Sequence, residues 1–189
     1  MKNFFSKYLH LSEPSKTYLK ENGKLNFYQK GSYYKIAGIP MPAWCFIIDG
    51  VVAKEVLEAD TTIRIERISG QNDYFTGCNH PYSDTATAIA IKFLQPTILF
   101  EISNTNFKHA QEQYPELSAI FHVLKQHKVN RLQDIVHILN LPPSHRVHEL
   151  FLKMPHIMPL LTIKERRSFL NISCDRDYYK SLRHHLEKT

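Results

Sequence analysis

The sequence has few of the residues that anchor a protein in a membrane or staple it with disulfides. No apolar run among its 189 residues approaches the roughly 18 that a membrane-spanning helix needs. The start, "MKNFFSKYLH", is too polar for a secretory signal. The three cysteines, Cys45, Cys78 and Cys174, lie far apart, which argues against disulfides and zinc ribbons. We expect a soluble cytoplasmic protein with no membrane partner.

The patterns typical of metalloenzymes are also missing. The 11 histidines include no H-E-x-x-H or similar ligand pair. Between residues 11 and 107 the only histidine is His80, so the three-histidine site of a cupin-like enzyme is not expected there. No nucleophile has a recognisable partner base. We therefore predict no catalytic residue, no metal site and no enzymatic activity, and name no cofactor.

Positive charge is concentrated near the end of the chain. The net charge is +6, from 24 Lys and Arg against 18 Asp and Glu. Residues 141–189 hold nine of the basic residues and only five of the acidic ones. A basic terminal module is typical of proteins that bind a polyanion such as DNA, although solvated helix faces give similar counts.

Short strands are predicted up to about residue 107. "NFYQKGSYYKI" and "AWCFIIDGVVAKEVLE" are rich in aromatic and β-branched residues, and Asp49-Gly50 is typical of a hairpin turn. "TTIRIERIS" alternates Ile63 and Ile65 with polar residues, as a half-buried strand does. Frequent turn signals predict an antiparallel barrel or sandwich. We assign it to residues 1–112, with a short helix near Met1–Leu9.

Helical spacing replaces the strand pattern from Pro115 to Leu139. A helix of about 25 residues is about 37 Å long, which exceeds a small barrel. It either lies across its own barrel or forms a seam between two copies. We favour the seam because a narrow apolar stripe of this length needs a long partner. Residues 113–140 are assigned to this helix and residues 117–139 to a homodimer contact through Leu117, Ile120, Phe121, Leu124, Leu132, Ile135, Val136 and Leu139.

Residues 141–189 are predicted to form a small helical domain. "LPPS" ends the long helix, and Ser144 is a candidate N-cap for the next one. Three short helices follow in "SHRVHELFLKMP", "TIKERRSFL" and "CDRDYYKSLRHHLEK". Thr162 and Glu165 match a capping box, and Asn171 is suited to a positive φ in the turn that follows. Two helices joined by such a turn suit a helix-turn-helix.

This order of a β-barrel, a long helix and a basic helix-turn-helix resembles the Crp/Fnr family of bacterial transcription regulators. "YQKGSYY", "FIIDGVVAKE" and "GQNDYFTG" look like the family's K-G-E, I-x-x-G-x-v and G-D-x-F-G elements. Residues 142–173 are similar to the corresponding stretch of Bacteroidetes-type members. The resemblance covers nearly the whole chain.

The resemblance implies an α+β fold in three parts. The first is an antiparallel β-roll of the cyclic-nucleotide-binding type, with jelly-roll topology, that senses a small effector. A long dimerisation helix follows, then a helix-turn-helix whose second helix enters the DNA major groove. The effector shifts the dimer between states of different DNA affinity. No sequence for the family's usual β-wing follows the last helix, so we expect a short domain without an evident wing.

The loop after "GQNDYFTG" departs from the nucleotide-binding pattern. Family members hold the cyclic phosphate with backbone amides near a glutamate and with an Arg-Ser/Thr pair. Here Cys78 stands in the glutamate's place and Asp84-Thr85 where the arginine pair belongs. Because an acid would repel a phosphate, we expect an effector other than cyclic AMP, of unknown identity. His80 and Lys92 are candidate replacement cations, and the ligand-contact candidates are Gly77, Cys78, Asn79, Thr85 and Thr87.

The helix-turn-helix also departs from the family. Arg166-Arg167 replaces a pair of core residues, which predicts loosened packing. An insertion of two residues in the last helix would turn Tyr179 and Leu182 inward and leave Lys180 and Arg183 exposed. Asp175 and Asp177 would repel DNA phosphates. The candidates for contact with double-stranded DNA are Arg176, Tyr179, Lys180 and Arg183.

Each of these assignments has a simpler alternative in which the residues bind neither a ligand nor DNA. For each single residue of the loop at 77–87 we slightly favour an ordinary connection between strands. A solvated basic helix explains each residue of the last helix equally well. The main hypothesis is a dimeric transcription regulator controlled by a small effector. The alternative is a sensor or interaction protein that kept the fold and lost DNA binding.

Overall fold

The computed structural model describes residues 10–187, which form eight strands and six α-helices. The strands are β1 (Gly23–Tyr28), β2 (Tyr33–Lys35), β3 (Met41–Asp49), β4 (Val52–Leu57), β5 (Ile63–Ser69), β6 (Tyr74–Gly77), β7 (Ile89–Phe93) and β8 (Thr97–Ser103). The helices are α1 (Glu13–Asn22), α2 (Asn104–Gln113), α3 (Pro115–Asn140), α4 (Pro143–Lys153), α5 (Ile163–Leu170) and α6 (Asp175–Leu186). The predicted α+β order is confirmed. The helix predicted near Met1–Leu9 lies outside the described residues.

The strands form two four-stranded antiparallel sheets. One has the order β1-β8-β3-β6 and the other β2-β7-β4-β5. Their facing sides enclose a core of Tyr34, Cys45, Ile47, Val52, Phe75, Ile91, Phe93 and Leu99. Since β6 and β5 are the last strands of their sheets, each has one edge without a neighbouring strand.

The turn at Asp49-Gly50 does not form the predicted hairpin. β3 and β4, which flank it, belong to different sheets, and β4 pairs with β5 and β7 instead. Gly50 has φ 103°, and a Cβ there would overlap the side chain of Thr97. The glycine therefore lets the chain pass tightly from one sheet to the other.

Ile63 and Ile65 pair in continuous register with Leu57 and Glu55 and so share one face of β5, as predicted, and a bulge follows them. Lys54 pairs with Arg67 and Glu55 with Ile65, so Glu66 is an extra residue that shifts the facing of the strand. Ile65 and Ile68 are consequently both buried, at 4% and 0% exposure, whereas Ile63 is 58% exposed.

The long helix α3 lies across its own β-roll along most of the predicted stripe. Leu117, Ile120 and Leu124 pack with α2 and the outer face of the first sheet. Further along α3, Ile135 and Ile138 enter a second core that also contains β5 and the later helices. The prediction that these residues form a dimer seam is therefore wrong for Leu117, Ile120, Leu124 and Ile135. No helix of residues 10–187 combines the length and hydrophobicity that crossing a membrane requires.

The three predicted short helices are confirmed as α4, α5 and α6. The Thr162–Glu165 capping box is present, and Asn171 has φ 52° at the end of α5. Ser144 is not the N-cap, because α4 already starts at Pro143 with Pro142 in the cap position. Proline suits this start since the first turn of a helix leaves its N–H groups unpaired.

The helical domain and the second sheet share one hydrophobic core. It joins Ala53, Ile65 and Ile68 of the sheet to buried side chains of α3, α4, α5 and α6, including Ile138, Val147, Leu150, Phe169, Leu170 and Tyr178. The helix-turn-helix is therefore packed on the β-roll in this structure.

Candidate ligand and DNA-binding sites

Gly77 ends β6 where two stretches of backbone meet. A Cβ at this position would overlap the carbonyl oxygen of Met41, so only glycine allows β3 and β6 to approach this closely. Cys78 follows and is 2% exposed, and burial raises the pKa of its thiol. Thr76 Oγ1 donates a 2.9 Å hydrogen bond to the Cys78 carbonyl. A neutral, buried thiol replaces the carboxylate that the family pattern would place here.

The structure brings only some of the predicted ligand residues together. Asn79 N–H donates to the Thr85 carbonyl at 3.3 Å, which folds the loop back on itself. The side chains of Asn79 and Thr85 are exposed, whereas Thr87 is half-buried. Asp84 is exposed, close enough to Cys78 for its charge to contribute to the raised pKa of that thiol.

Lys35 is the cation that lies against this loop, and the sequence analysis missed it. Its Nζ donates to Thr87 Oγ1 at 2.9 Å and to the Thr87 carbonyl at 3.3 Å. The residue is 4% exposed, and burial lowers the pKa of its ammonium. No sequence signal identifies it, because its position depends on the pairing of β2 with β7.

The two cations proposed from sequence are engaged elsewhere. Lys92 Nζ lies 3.6 Å from Glu55 Oε1 and over the ring of Tyr33. His80 Nδ1 accepts a 3.2 Å hydrogen bond from the Tyr82 N–H. The suggestion that either replaces the lost arginine is therefore not supported by their contacts.

The four predicted DNA contacts share the exposed face of α6. Arg176, Tyr179, Lys180 and Arg183 are all exposed, and their spacing places them on one side of the helix. The inward face carries Tyr178 and Ser181, both 0% exposed. The prediction that Tyr179 points inward is wrong, since it is 51% exposed. Leu182 packs partly against the core, as predicted.

The two arginines in the middle of α5 tighten the helix-turn-helix instead of loosening it. Arg166 donates to the Met158 carbonyl and to Tyr178 Oη, each at 3.1 Å. Its guanidinium carbon lies 5.8 Å from the centre of the Phe151 ring. Buried backbone and ring atoms thus accept the hydrogen bonds of a partly buried cation, so the prediction of loosened packing is wrong.

Arg167 spans the turn between α5 and α6. It donates to the Ser173 carbonyl and to Asp175 Oδ1, and its Nε contacts the Ile172 carbonyl at 3.4 Å. Asp175 therefore stabilises the turn, and its charge is balanced by Arg167. This leaves less negative charge near the start of α6 than the sequence suggests.

A cleft of about 1320 Å³ lies between the tip of the β4–β5 hairpin and the helix-turn-helix. Its walls include Arg64, Lys164, Arg167 and Tyr179. Arg64 is paired with Glu58. The cleft therefore opens beside the predicted DNA-contact face.

A second apolar stripe on α3 lies mostly outside both cores. Val129 and Val136 are 40% and 58% exposed. Leu132 is half-buried, and so is Leu139, which packs partly against the core shared with the helical domain. The steps of three and four residues, with valine and leucine alternating, match the a and d positions of a parallel two-stranded coiled coil. This stripe lies about a quarter-turn around the helix from the residues buried against the β-roll.

No protein-family model matches the sequence, and no curated protein matches it. Among residues 10–187, no group of three His, Cys, Asp or Glu side chains is arranged to hold a metal ion.

Solved structures do match the fold. FixK2 from Bradyrhizobium japonicum has a TM-score of 0.70 at 13% identity, covering 88% of this chain and 86% of that one. The c-di-GMP responsive global regulator CLP of Xanthomonas campestris has a TM-score of 0.69 at 11% identity, covering 94% and 93%. The Thermus thermophilus catabolite activator protein has a TM-score of 0.52 at 12% identity, covering 96% and 86%. The chain therefore has, over most of its length, the fold of Crp/Fnr-family transcription regulators, with a cyclic-nucleotide-binding-type β-roll and a C-terminal helix-turn-helix.

Proposed function

We propose that this protein is a cytoplasmic transcription regulator, and not an enzyme, that binds double-stranded DNA as a homodimer. The observation that carries the proposal is the face of α6 formed by Arg176, Tyr179, Lys180 and Arg183, opposite the buried Tyr178. Arg and Lys on one exposed face of such a helix suit guanine edges and phosphates. The firm turn held by Arg167 orients this helix.

Three parts of the chain divide the work in this proposal. Residues 1–112 sense a small effector at the loop that contains Gly77, Cys78, Asn79, Thr85 and Thr87. Residues 113–140 form the dimer, and residues 141–189 bind DNA. The shared core between β5 and the helices supplies a mechanical link from the sensor to the DNA-binding helix.

Dimerisation in this proposal uses the exposed stripe of α3. Val129, Leu132, Val136 and Leu139 supply a seam, while the buried stripe holds the helix to its own β-roll. Of the homodimer contact predicted for residues 117–139, this proposal keeps only residues 129–139. Two parallel copies of α3 would place both α6 helices on one side of the dimer, as half-sites of a palindrome require.

The effector in this proposal is not cyclic AMP. Cys78 is buried and neutral, and no arginine occupies the position of Asp84, which is exposed. The structural neighbour CLP is described as responsive to c-di-GMP, so the fold accommodates regulation by other effectors.

A selection from randomised DNA tests the proposal. The purified protein is mixed with a random duplex library at moderate salt, and bound DNA is amplified and sequenced. We expect a palindrome with half-sites about one helical turn apart, lost in Lys180→Ala/Arg183→Ala. The matched control is Lys20→Ala/Lys24→Ala, which removes the same charge from α1 and β1 and should retain the palindrome.

A second candidate function is a sensor that no longer binds DNA. The packing of α5 on β5, through Ile65, Phe169 and the Ile65–Ser168 hydrogen bond, favours it. Folded dimeric protein that enriches no sequence, with or without cell extract as a source of effector, would support this candidate instead.

A further inference from the structure

The β-roll contains a half-buried group of cations with too few acids to balance them. Lys54 on β4 and Arg67 on β5 are side by side in the strand register. Lys128 and Arg131 approach from α3, and Lys128 lies within electrostatic range of the other three. We call these four residues the cationic wall.

Two acids lie near the cationic wall, and one of them, Asp73, is already hydrogen-bonded through both carboxylate oxygens. Asp73 is 6% exposed, and its Oδ2 accepts a 2.8 Å bond from Arg131 while its Oδ1 accepts from the Tyr74 N–H. The other acid is the bulge residue Glu66, whose charge acts on Lys54. Within residues 10–187, neither the Lys54 nor the Arg67 side chain makes a hydrogen bond or an ion pair.

Lys128 is held against Tyr74 by the backbone and the ring of that tyrosine. Its Nζ donates to the Tyr74 carbonyl at 2.7 Å and lies 4.0 Å from the centre of the Tyr74 ring. Burial, together with the charges of Lys54, Arg67 and Arg131, lowers the pKa of Lys128 to about 7. Burial and the neighbouring Arg67 and Lys35 lower the pKa of Lys54 to about 8.

The cationic wall is continuous with the predicted ligand loop. Lys35, which donates to Thr87 in that loop, also acts electrostatically on Lys54 and is itself influenced by Cys78. The wall lies beside β5 and β6, the strands that end the two sheets. An anion there would contact the sensor and α3 together.

We propose that the cationic wall, with Lys35, binds the effector through a phosphate group carrying at least two negative charges. Lys54 and Lys128 supply point charges, and Arg67 supplies a planar fork that can hold two phosphate oxygens. The site rests on the proposed function, whose effector it assigns to the class of phosphate-bearing small molecules. Binding would join β4 and β5 to the part of α3 that precedes the dimer stripe.

Calorimetry with pyrophosphate at pH 6.5 tests this site directly. We expect binding to the wild type and at least a tenfold loss of affinity in Lys54→Met and in Arg67→Met. Lys54→Gln, which keeps a polar side chain, should show the same loss. The matched control is Arg64→Met, on the same strand but paired with Glu58, and it should bind within twofold of the wild type.

Stability without added anion gives an independent readout. Because Lys54 and Arg67 are repelled by their neighbours, Lys54→Met should melt at a higher temperature than the wild type. A lower melting temperature, with pyrophosphate raising both proteins equally, would overturn the proposal. So would the absence of pyrophosphate binding, or binding lost in Lys180→Ala/Arg183→Ala instead.

The pH dependence follows from the two lysines. Sulfate is the probe, since it keeps two charges throughout this range. Facing groups are Lys35, Arg67, Arg131, Asp73 and Glu66. Affinity should be highest near pH 6, where both lysines are charged, and fall at least fivefold by pH 9. A flat profile would contradict the proposal.

The two proposals fail separately in these experiments. The pyrophosphate measurement contains no DNA, and the DNA selection contains no pyrophosphate. If the protein binds pyrophosphate at the cationic wall and enriches no DNA, the proposed anion site stands and the proposed function is rejected. If the protein enriches a palindrome and does not bind pyrophosphate, only the proposed anion site is rejected.

Discussion

The backbone N–H of Ile65 donates a 2.9 Å hydrogen bond to the Oγ of Ser168. Ile65 belongs to the second sheet of the β-roll and Ser168 to the first helix of the helix-turn-helix. β5 is the last strand of its sheet, and Ile65 and Ile68 both belong to the core shared with the helices. The Ser168 side chain thus links the helix-turn-helix to the β-roll. Replacing it tests how much this link contributes.

Ser168→Ala should loosen the helix-turn-helix from the β-roll. The substitution leaves the partly buried Ile65 N–H without its acceptor, which costs about 1 kcal/mol. Hydrogen exchange should show the Ile65 amide opening about fivefold more often. Ser173→Ala, in the exposed turn, is the control. Unchanged exchange at Ile65 would mean that the shared apolar core alone holds the domains together.

Arg167→Ala should disorder the turn before α6. Charged hydrogen bonds to Asp175 and Ser173 are lost, and we expect destabilisation by about 2 kcal/mol. DNA affinity should fall with it, because α6 loses its fixed orientation. Thermal unfolding and a binding titration measure the two effects. Lys164→Ala, an exposed cation on the same helix, should change neither by much; equal effects of both variants would refute the role of Arg167.

Leu132→Asp/Val136→Glu should separate the dimer. Each substitution places a charge in the apolar seam twice, once from each copy, where an unpaired charge costs several kcal/mol. Sedimentation should show dimer dissociation at least ~100-fold easier, with the far-UV circular dichroism spectrum retained. Gln126→Glu, at an exposed position of the same helix, is the control. A dimer that survives the double substitution would place the interface on another surface.

Lys180→Ala/Arg183→Ala should reduce the salt dependence of DNA binding. Each lost phosphate contact lowers the slope of log affinity against log salt by about 1, so the dimer should lose up to about 4. A titration of fluorescent duplex over a salt series measures this slope. If the slope stays the same while affinity falls, the two residues contact bases and not phosphates.

Cyclic AMP should not bind at micromolar concentration. Burial keeps the Cys78 thiol neutral, and Asp84 repels a phosphate approaching the loop. Isothermal calorimetry, with pyrophosphate as the positive comparison, measures this. A micromolar dissociation constant for cyclic AMP would show that the loop rearranges around the nucleotide.

Local patterns predicted the elements that depend on neighbouring residues. Thr162 and Glu165 marked the start of α5, and Asn171 marked its end, because capping and positive φ involve residues within one turn. The Asp49-Gly50 hairpin was wrong for the opposite reason. The tight turn is local, but the pairing of β3 with β8 and of β4 with β7 involves strands that come much later in the sequence.

The candidate sites show the same division. The exposed face of α6 with Arg176, Lys180 and Arg183 could be predicted, although the inward position moved from Tyr179 to Tyr178. Lys35 and the cationic wall could not be predicted, because strands β2, β4 and β5 and helix α3 bring these cations together. Single cations in separate strands carry no signal of their common surroundings.

The sequence by itself determined the order of β-roll, long helix and helix-turn-helix, since helical and strand periods and capping residues act over a few positions. Only the tertiary structure decided which stripe of α3 faces the β-roll and which remains exposed at Val129 and Val136. Both stripes are apolar, and a helix buries whichever side fits the surface it meets. The tertiary structure also decided that Lys54 and Arg67 lie side by side, because that depends on the strand register and on the bulge at Glu66.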